Sequence, residues 1–132
     1  MVLNIRVIGP NGLVCDIDTN EVVLPSLTGR VGVLDDHAPL ITSLRVGLIR
    51  IKTEVSWVPI IVTGGFAIIE NNKIVAIVSG LENLKDETYS EVEELVTKAT
   101  ETLNLAKTTK EKIDASLRLK IEEAKLDSFK YL

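Results

Sequence analysis

The hydrophobic pattern of this chain changes its period once, near Asp86, and that change restricts the folds open to it. Before this point Leu3, Ile5 and Val7 alternate with polar neighbours as they do in strands, and further apolar, β-branched runs at 41–44, 46–51, 58–62 and 66–69 also predict strands. Pro10-Asn11-Gly12 and Asn71-Asn72 predict tight turns between strands. After it, apolar residues recur every three to four positions, which indicates helices. The sequence therefore predicts an α+β protein: an N-terminal β-sandwich of about ten strands (1–84), then a C-terminal antiparallel two-helix hairpin (85–132).

Two capping signals organise the helical part. Thr88 precedes Glu91 by three residues and Thr108 precedes Glu111 by three, which is the spacing of a capping box. These signals predict a first helix over 89–106 and a second helix after Thr108. The apolar stripes are Val92, Leu95, Val96, Ala99, Leu103 and Ala106 on the first helix, and Ile113, Leu117, Ile121 and Ala124 on the second. Because short isolated helices are marginal in water, we expect the hairpin to pack on a partner surface.

Composition removes several classes of function. The net charge is −4 at pH 7, whereas nucleic-acid-binding domains usually present a basic face, so we expect no nucleic-acid partner. The one cysteine, Cys15, lies in an apolar run and is expected to be a small buried side chain. The most apolar span, 57–69, is shorter than the ~18 residues of a membrane helix and is interrupted by two glycines, so we expect no insertion into a membrane.

The single histidine, His37, follows two carboxylates, Asp35 and Asp36. Three consecutive side chains are poorly placed to converge on one metal ion, and no second histidine is present to help. No nucleophile motif accompanies His37. Glycines at 29, 32, 64 and 65 lack the lysine of a phosphate-binding loop and indicate turns and bulges. The residues alone predict a structural or interaction loop, with no catalytic, metal-binding or cofactor-binding residue.

Three longer stretches resemble one protein family. The segments VLNIRVIGPNGLV (2–14), GRVGVLDDHAPLIT (29–42) and VTGGFAIIENNKIVAIV (62–78) are similar to segments of the epsilon subunit of ATP synthase. The resemblance extends over the whole chain, since that family is also a β-sandwich followed by a helical hairpin. It implies a non-catalytic component of the central stalk of a rotary, proton-translocating ATP synthase, without a cofactor.

The resemblance also assigns partners to particular residues. It places the sandwich between the gamma subunit and the membrane c-ring, and it lets the hairpin reach an acidic segment of the catalytic beta subunit and block ATP hydrolysis. The implied c-ring residues are Thr28, Gly29, Arg30 and Val31; the implied gamma residues are Asp35, Asp36, His37 and Ala38; and the implied regulatory contacts to beta are Lys110, Lys112, Arg118 and Lys120. The alternative for these cations is a solvated helix face supported by pairs such as Asp114 with Arg118.

Location and function class each have an alternative. Since no transit peptide precedes the first predicted strand, we expect a plastid-encoded peripheral subunit on the stromal side of the thylakoid membrane. The cytoplasmic side of a bacterial inner membrane is the alternative. A free-standing β-sandwich adaptor unrelated to rotary motors is the other function class that we consider. A small β-barrel enzyme would need a pocket with convergent titratable groups, which one histidine does not supply.

Overall fold

The computed structural model describes residues 2–84 and 87–131. It contains eight strands, two α-helices and a final 3₁₀ turn in those residues. The strands are β1 (Leu3–Gly9), β2 (Gly12–Thr19), β3 (Val22–Ser26), β4 (Gly29–Val33), β5 (Leu40–Lys52), β6 (Trp57–Glu70), β7 (Lys73–Val78) and β8 (Leu81–Glu82). The helices are α1 (Tyr89–Leu105) and α2 (Thr109–Ser128), and the 3₁₀ turn is Phe129–Tyr131. The change of period predicted near Asp86 falls on residues 85 and 86, which lie outside the described residues.

All eight strands belong to one continuous sheet that bends into two layers. Its order is β2-β1-β7-β6-β5-β3-β4, and β8 pairs with β6 off this path. In the first layer, β2, β1 and β7 lie beside residues 65–70 of β6 and 40–44 of β5. In the second layer, β3, β4 and β8 lie beside residues 57–63 of β6 and 46–52 of β5. The expected sandwich is therefore made by two strands that run through both layers.

The strand number is eight where about ten were expected, because four predicted runs merge in pairs. Runs 41–44 and 46–51 form one strand of 13 residues, β5, and runs 58–62 and 66–69 form one strand of 14 residues, β6. Strand β6 runs through Gly64 and Gly65, whose φ values are +126° and +132°, and β5 pairs with β6 on both sides of this point. Glycine adopts this region without the steric penalty of a side chain, so the sheet changes direction here without ending a strand.

Two tight turns follow the sequence expectation. Asn71 and Asn72 have φ values of +52° and +61°, as a two-residue hairpin turn between β6 and β7 requires. Pro10 and Asn11 join β1 to β2, and Gly12 has a φ of +114°. The first turn keeps β6 and β7 in register, whereas a β-bulge opposite Val7 and Ile8 shifts the register of β1 and β2 just beyond the second turn.

The core lies between the two layers and consists almost entirely of aliphatic side chains. Its largest fully buried members in the sheet are Leu3, Ile5, Val7, Val22, Leu24, Val33, Ile49, Ile51, Val62, Ile69 and Ile74. Cys15 is half-buried and packs against this cluster, which agrees with its expected role as a small apolar side chain. Burial raises the pKa of the Cys15 thiol above its ordinary value.

Both predicted helix caps are confirmed. The Thr88 and Thr108 hydroxyls accept hydrogen bonds from the backbone N–H groups of Glu91 and Glu111, at 3.2 Å and 3.1 Å. The apolar stripe of α1 also has the expected orientation, with Val92 and Ala99 buried and the other four members half-buried.

The stripe predicted for α2 is correct only in its second half. Ile121 and Ala124 are buried, but Ile113 and Leu117 are exposed. The buried face is instead rotated about the helix axis, and its members are Ala115, Ile121, Glu122, Ala124, Lys125 and Ser128. Glu122 and Lys125 turn inward because ionic partners are available there, as described below.

Replacing Gly65 with alanine should lower the free energy of unfolding by about 2–4 kcal/mol. A Cβ at this position would lie 2.1 Å from the carbonyl oxygen of Ile77, and the φ of +132° is strained for any other residue. Gly32→Ala is the control, since a Cβ at Gly32 meets no atom within 4 Å, and it should stay within about 0.5 kcal/mol of wild type. Urea unfolding followed by circular dichroism measures both, and equal stabilities would contradict this account of the bend.

Candidate functional site

The turn between β3 and β4 projects from the end of the second layer. Leu27 and Thr28 join the two strands, and Gly29 has a φ of +125°. The backbone N–H of Thr28 donates to Ser26 Oγ at 3.3 Å, which closes the turn. Thr28, Gly29 and Arg30 are exposed at this tip, whereas the half-buried Val31 side chain packs against the core. Of the four predicted c-ring residues, three therefore present their surface outward.

Residues 34–39, called here the histidine loop, lead from β4 in the second layer to β5 in the first. Asp36 has a φ of +60°, and its backbone N–H donates to Asn72 Oδ1 at 2.8 Å, so the loop is attached to the β6–β7 turn. Asp35, Asp36 and Ala38 are exposed, and His37 is half-buried. His37 Nδ1 lies 2.6 Å from the carbonyl oxygen of Ala38. The structure thus brings the four predicted gamma residues together on a loop with a defined conformation.

The outward side of the first layer is apolar, a feature that sequence reasoning missed. The register places Ile41 beside Ile68 and Val75, and Phe66 beside Ile77. Together with Ile8, opposite Ile77 on β1, these six residues form what we call the exposed sheet face: Ile8, Ile41, Phe66, Ile68, Val75 and Ile77. Ile41 keeps 73% of its surface exposed and Phe66 keeps 42%. A solvated antiparallel face normally carries polar residues at such positions, so this face indicates an interface.

The outward side of the second layer is covered by the chain itself. Leu48 of β5 and Ile61 of β6 are buried under Ala124 of α2, with Leu84 and Tyr131 at the margin. The apolar part of this contact is small, since alanine is the only helix residue in the buried cluster. Helix α1 packs on α2, and its Tyr89 contacts Phe129 edge to face at 5.7 Å between ring centroids.

An acid-base cluster lies beside this apolar contact. It comprises Glu82 on β8, Glu87 before α1, and Arg118, Glu122 and Lys125 on α2. Lys125 Nζ lies 3.5 Å from Glu122 Oε1, 3.8 Å from Glu87 Oε1 and 4.0 Å from Glu82 Oε2. Only 6% of the Lys125 side chain and 3% of the Glu122 side chain are exposed. Buried charges of this kind persist because they are paired.

The four cations predicted to contact beta divide into two groups. Lys110, Lys112 and Lys120 are exposed on α2. Arg118 instead donates hydrogen bonds to Glu122, from Nε at 3.0 Å and from a terminal nitrogen, and it lies 3.9 Å from Glu82. The hydrogen bond to Glu122 raises the pKa of Arg118 above its ordinary value. The solvated-face alternative paired Arg118 with Asp114, but the arginine turns toward Glu122.

A second ionic contact joins α2 to the sheet on its other flank. Asp127 lies 3.5 Å from Arg30 of β4 and 3.9 Å from Arg50 of β5, and Lys130 approaches it to 3.0 Å. The Arg50 guanidinium lies 4.9 Å from the centroid of the Tyr131 ring. A groove of about 1040 Å³ follows this flank between α2, the β3–β4 turn and β5.

Across residues 2–84 and 87–131, no three or more histidine, cysteine, aspartate or glutamate side chains are grouped to hold a metal ion. Neither described helix is long and apolar enough to span a membrane.

Comparison with known proteins decides the family. Residues 2–83 match the family model of the ATP synthase Delta/Epsilon chain beta-sandwich domain. The chloroplastic ATP synthase epsilon chain of Pylaiella littoralis is 53% identical over 132 residues, which is all of both chains. The chloroplastic epsilon chain of Phaeodactylum tricornutum is 48% identical, over 100% of this chain and 99% of that one. The chain belongs to the ATP synthase epsilon family.

Solved structures agree on the fold of this epsilon-family member. A chain of the Euglena gracilis mitochondrial ATP synthase, in a structure of OSCP, F1 and c-ring, matches with a TM-score of 0.81 at 14% identity, covering 96% of this chain and 81% of that one. A chain from the central stalk and c-ring of the Tetrahymena thermophila enzyme matches with a TM-score of 0.63 at 14% identity, covering 96% and 97%. The resemblance inferred from the sequence is confirmed, and the protein is a non-catalytic subunit of ATP synthase.

Replacing Asn72 with glycine should free the histidine loop without disturbing the hairpin turn. Glycine accepts the φ of +61°, but it removes the amide oxygen that binds the Asp36 N–H. One hydrogen bond contributes about 0.5–1.5 kcal/mol, so the Asp36 amide should exchange with solvent roughly 2- to 10-fold faster. Asn71→Gly is the matched control, because this neighbour has a similar φ of +52° and no side-chain hydrogen bond among the described contacts. NMR measures the exchange of the Asp36 amide. If it exchanges equally fast in both variants, the Asn72 side chain does not hold the histidine loop in place.

Proposed function

We propose that this chain acts in the central stalk of a chloroplast ATP synthase, where its sandwich joins the gamma subunit to the c-ring and its hairpin regulates ATP hydrolysis. One observation carries the structural part of the proposal. The outward side of the second layer is covered by α2, whereas the equivalent side of the first layer carries six apolar residues, of which Ile41, Phe66 and Ile77 are exposed. A subunit held in an assembly by its first layer explains that asymmetry.

The gamma subunit is assigned to the exposed sheet face and the adjoining histidine loop. The face is apolar at its centre, and Arg6, Glu70 and Lys73 lie at its margins, which is the usual anatomy of a protein interface. Ile41 is the second residue after the loop, so Asp35, Asp36, His37 and Ala38 border the same surface. Such a border supplies polar contacts that orient a partner, while the apolar centre supplies most of the affinity.

The c-ring is assigned to the β3–β4 turn, through Thr28, Gly29 and Arg30, with Val31 contributing its backbone. The turn and the histidine loop lie at opposite ends of β4, a strand of five residues. That separation is about 13 Å along the strand, so two partners can be held at the same time. A short hydrogen-bonded strand between them keeps their relative position fixed, as transmission of rotation requires.

Regulation is assigned to the hairpin because its docking contact is small and ionic. Helix α2 buries little apolar surface on the sandwich, so a docked and a released pose differ by only a few kcal/mol. Lys110, Lys112 and Lys120 are exposed and can meet an acidic segment of the catalytic beta subunit. Arg118 joins them after α2 leaves Glu82.

The proposed location is the stromal side of the thylakoid membrane, with the chain as a peripheral subunit. Curated relatives that match the whole chain are chloroplastic epsilon chains, including those of Pylaiella littoralis and Thalassiosira pseudonana. In a chloroplast, a c-ring contact places the chain beside the thylakoid membrane.

Ile41→Ser and Phe66→Ser should each weaken binding to the gamma subunit by about tenfold or more, because each removes an exposed apolar group from the interface. Both variants should remain folded, with a loss in the free energy of unfolding of about 1–2 kcal/mol at most, because each side chain is only partly buried. Calorimetric titration of gamma with the purified chain measures the affinity. Val55→Ser is the control, since Val55 is 93% exposed on the β5–β6 loop, away from this face.

The same titration tests the histidine loop. His37→Ala should lower the affinity for gamma and leave the isolated fold within about 0.5 kcal/mol of wild type. A large loss of stability with unchanged affinity would make His37 a core residue.

If Val55→Ser weakens binding as much as Phe66→Ser does, the assignment of gamma to the exposed sheet face is wrong.

Neutralising the exposed cations of α2 should release inhibition of ATP hydrolysis. In a reconstituted complex, the triple variant Lys110→Gln, Lys112→Gln, Lys120→Gln should hydrolyse ATP several-fold faster than the complex with wild-type chain. High salt should reduce that difference, because exposed ion pairs are screened. The control neutralises Arg45 and Lys52, which are exposed on β5, outside the hairpin and outside the exposed sheet face. Equal rates for wild type and both variants at low and high salt would contradict the regulatory role.

A further inference from the structure

We propose that Glu82 of β8 occupies, within this chain, the place that an acidic partner segment would take, and that it holds the hairpin docked by binding Lys125 and Arg118. The proposal rests on the regulatory function proposed above. It adds two residues to that function: Glu82 as an internal competitor, and Lys125 as a regulatory cation that the resemblance does not name.

The geometry gives Glu82 a special position in the acid-base cluster. Glu122 is on α2 itself, and Glu87 precedes α1, so both belong to the helical part and move with it. Glu82 is the cluster's one carboxylate from the sheet, where β8 pairs with Ile61 and Val62 of β6. Its Oε1 lies 3.9 Å from Arg118 and its Oε2 lies 4.0 Å from Lys125. Among residues 2–84 and 87–131, every ionic contact between this cluster and the sandwich therefore passes through Glu82.

The two ionic flanks of α2 have opposite signs, which fixes how the helix docks. On the β8 side the sheet presents an acid, Glu82, to Lys125 and Arg118. On the β5 and β4 side the sheet presents bases, Arg50 and Arg30, to Asp127. Rotating α2 about its axis would separate the ion pairs on both flanks. This charge order accounts for the rotated face of α2 and for the burial of Glu122 and Lys125.

The ion pairs of the acid-base cluster do not hold α2 on the sandwich irreversibly. In the described part of the chain, three carboxylates face two cations. The charges of the cluster are therefore not balanced, and each charge that leaves water when α2 docks costs free energy. The attraction of Glu82 for two cations is thus partly offset, and an acidic partner segment that offers several carboxylates can compete with it.

Amide hydrogen exchange of the full-length chain tests the anchoring role directly. Glu82→Gln keeps the shape of the side chain and removes its charge, so the amides of 118–128 in α2 should exchange about tenfold faster or more. The amides of Ile5 and Ile74 in the core should be unchanged, which shows that the sandwich is intact. Glu54→Gln is the matched control, since Glu54 is exposed on the β5–β6 loop. Unchanged exchange of α2 in Glu82→Gln would overturn the proposal.

A double-mutant cycle tests whether Glu82 acts through Lys125. If the two side chains interact, Glu82→Gln combined with Lys125→Gln should speed exchange of α2 by less than the product of the two single effects. A combined effect equal to that product would overturn the pairing.

The reconstituted complex separates this inference from the regulatory function on which it rests. If both are correct, Glu82→Gln should inhibit ATP hydrolysis more strongly than wild type, because its hairpin is released more often. Faster exchange of α2 with unchanged hydrolysis would support the anchor and overturn the regulatory function. Stronger inhibition with unchanged exchange would overturn the anchor and support the regulatory function.

Discussion

Strands β5 and β6 pair along nearly their whole length and belong to both layers. Strands β3, β7 and β8 pair with them directly, and β1, β2 and β4 are attached through β7 and β3. Their shared bend at Gly64 and Gly65 turns one continuous sheet into a sandwich, and a side chain at Gly65 would collide with β7. The same bend separates the two outward sheet surfaces. The position of every candidate interaction surface therefore depends on a place where the chain can accept only glycine.

The two outward surfaces are treated differently by the chain. Over the second layer, α2 contributes one alanine and several ion pairs, which is a weak and polar cover. Over the first layer, Ile41 and Phe66 stay exposed. The chain thus covers one surface weakly with its own helix and leaves the other surface partly exposed. This division matches the proposed roles, with attachment on one layer and regulation on the other.

Local signals in the sequence predicted what is local in the structure. Thr88 and Thr108 cap their helices, and Asn71 and Asn72 make the tight turn, because each depends on neighbours within a few residues. The rotation of α2 could not be found in this way. Lys125 turns inward where Glu82 can bind it, and Glu82 lies far away in sequence, so it reaches α2 only once the sheet has formed. The exposed sheet face could have been predicted from residues 74–78, which are all apolar. A strand with one side in water alternates apolar and polar residues, so an unbroken apolar run indicates that neither side is solvated in the assembled state.

Two contacts compete for the side chain of Arg30, one proposed and one present in the structure. It lies at the tip assigned to the c-ring, and it also pairs with Asp127 of α2. A ligand that draws Arg30 away from Asp127 loosens the helix, and by thermodynamic reciprocity a docked helix weakens that ligand by the same factor. Because the pair is exposed, its contribution is below about 1 kcal/mol, or roughly fivefold in affinity. If the tip binds the c-ring as proposed, Arg30 couples that contact to the docking of α2, and the coupling changes both affinities only slightly.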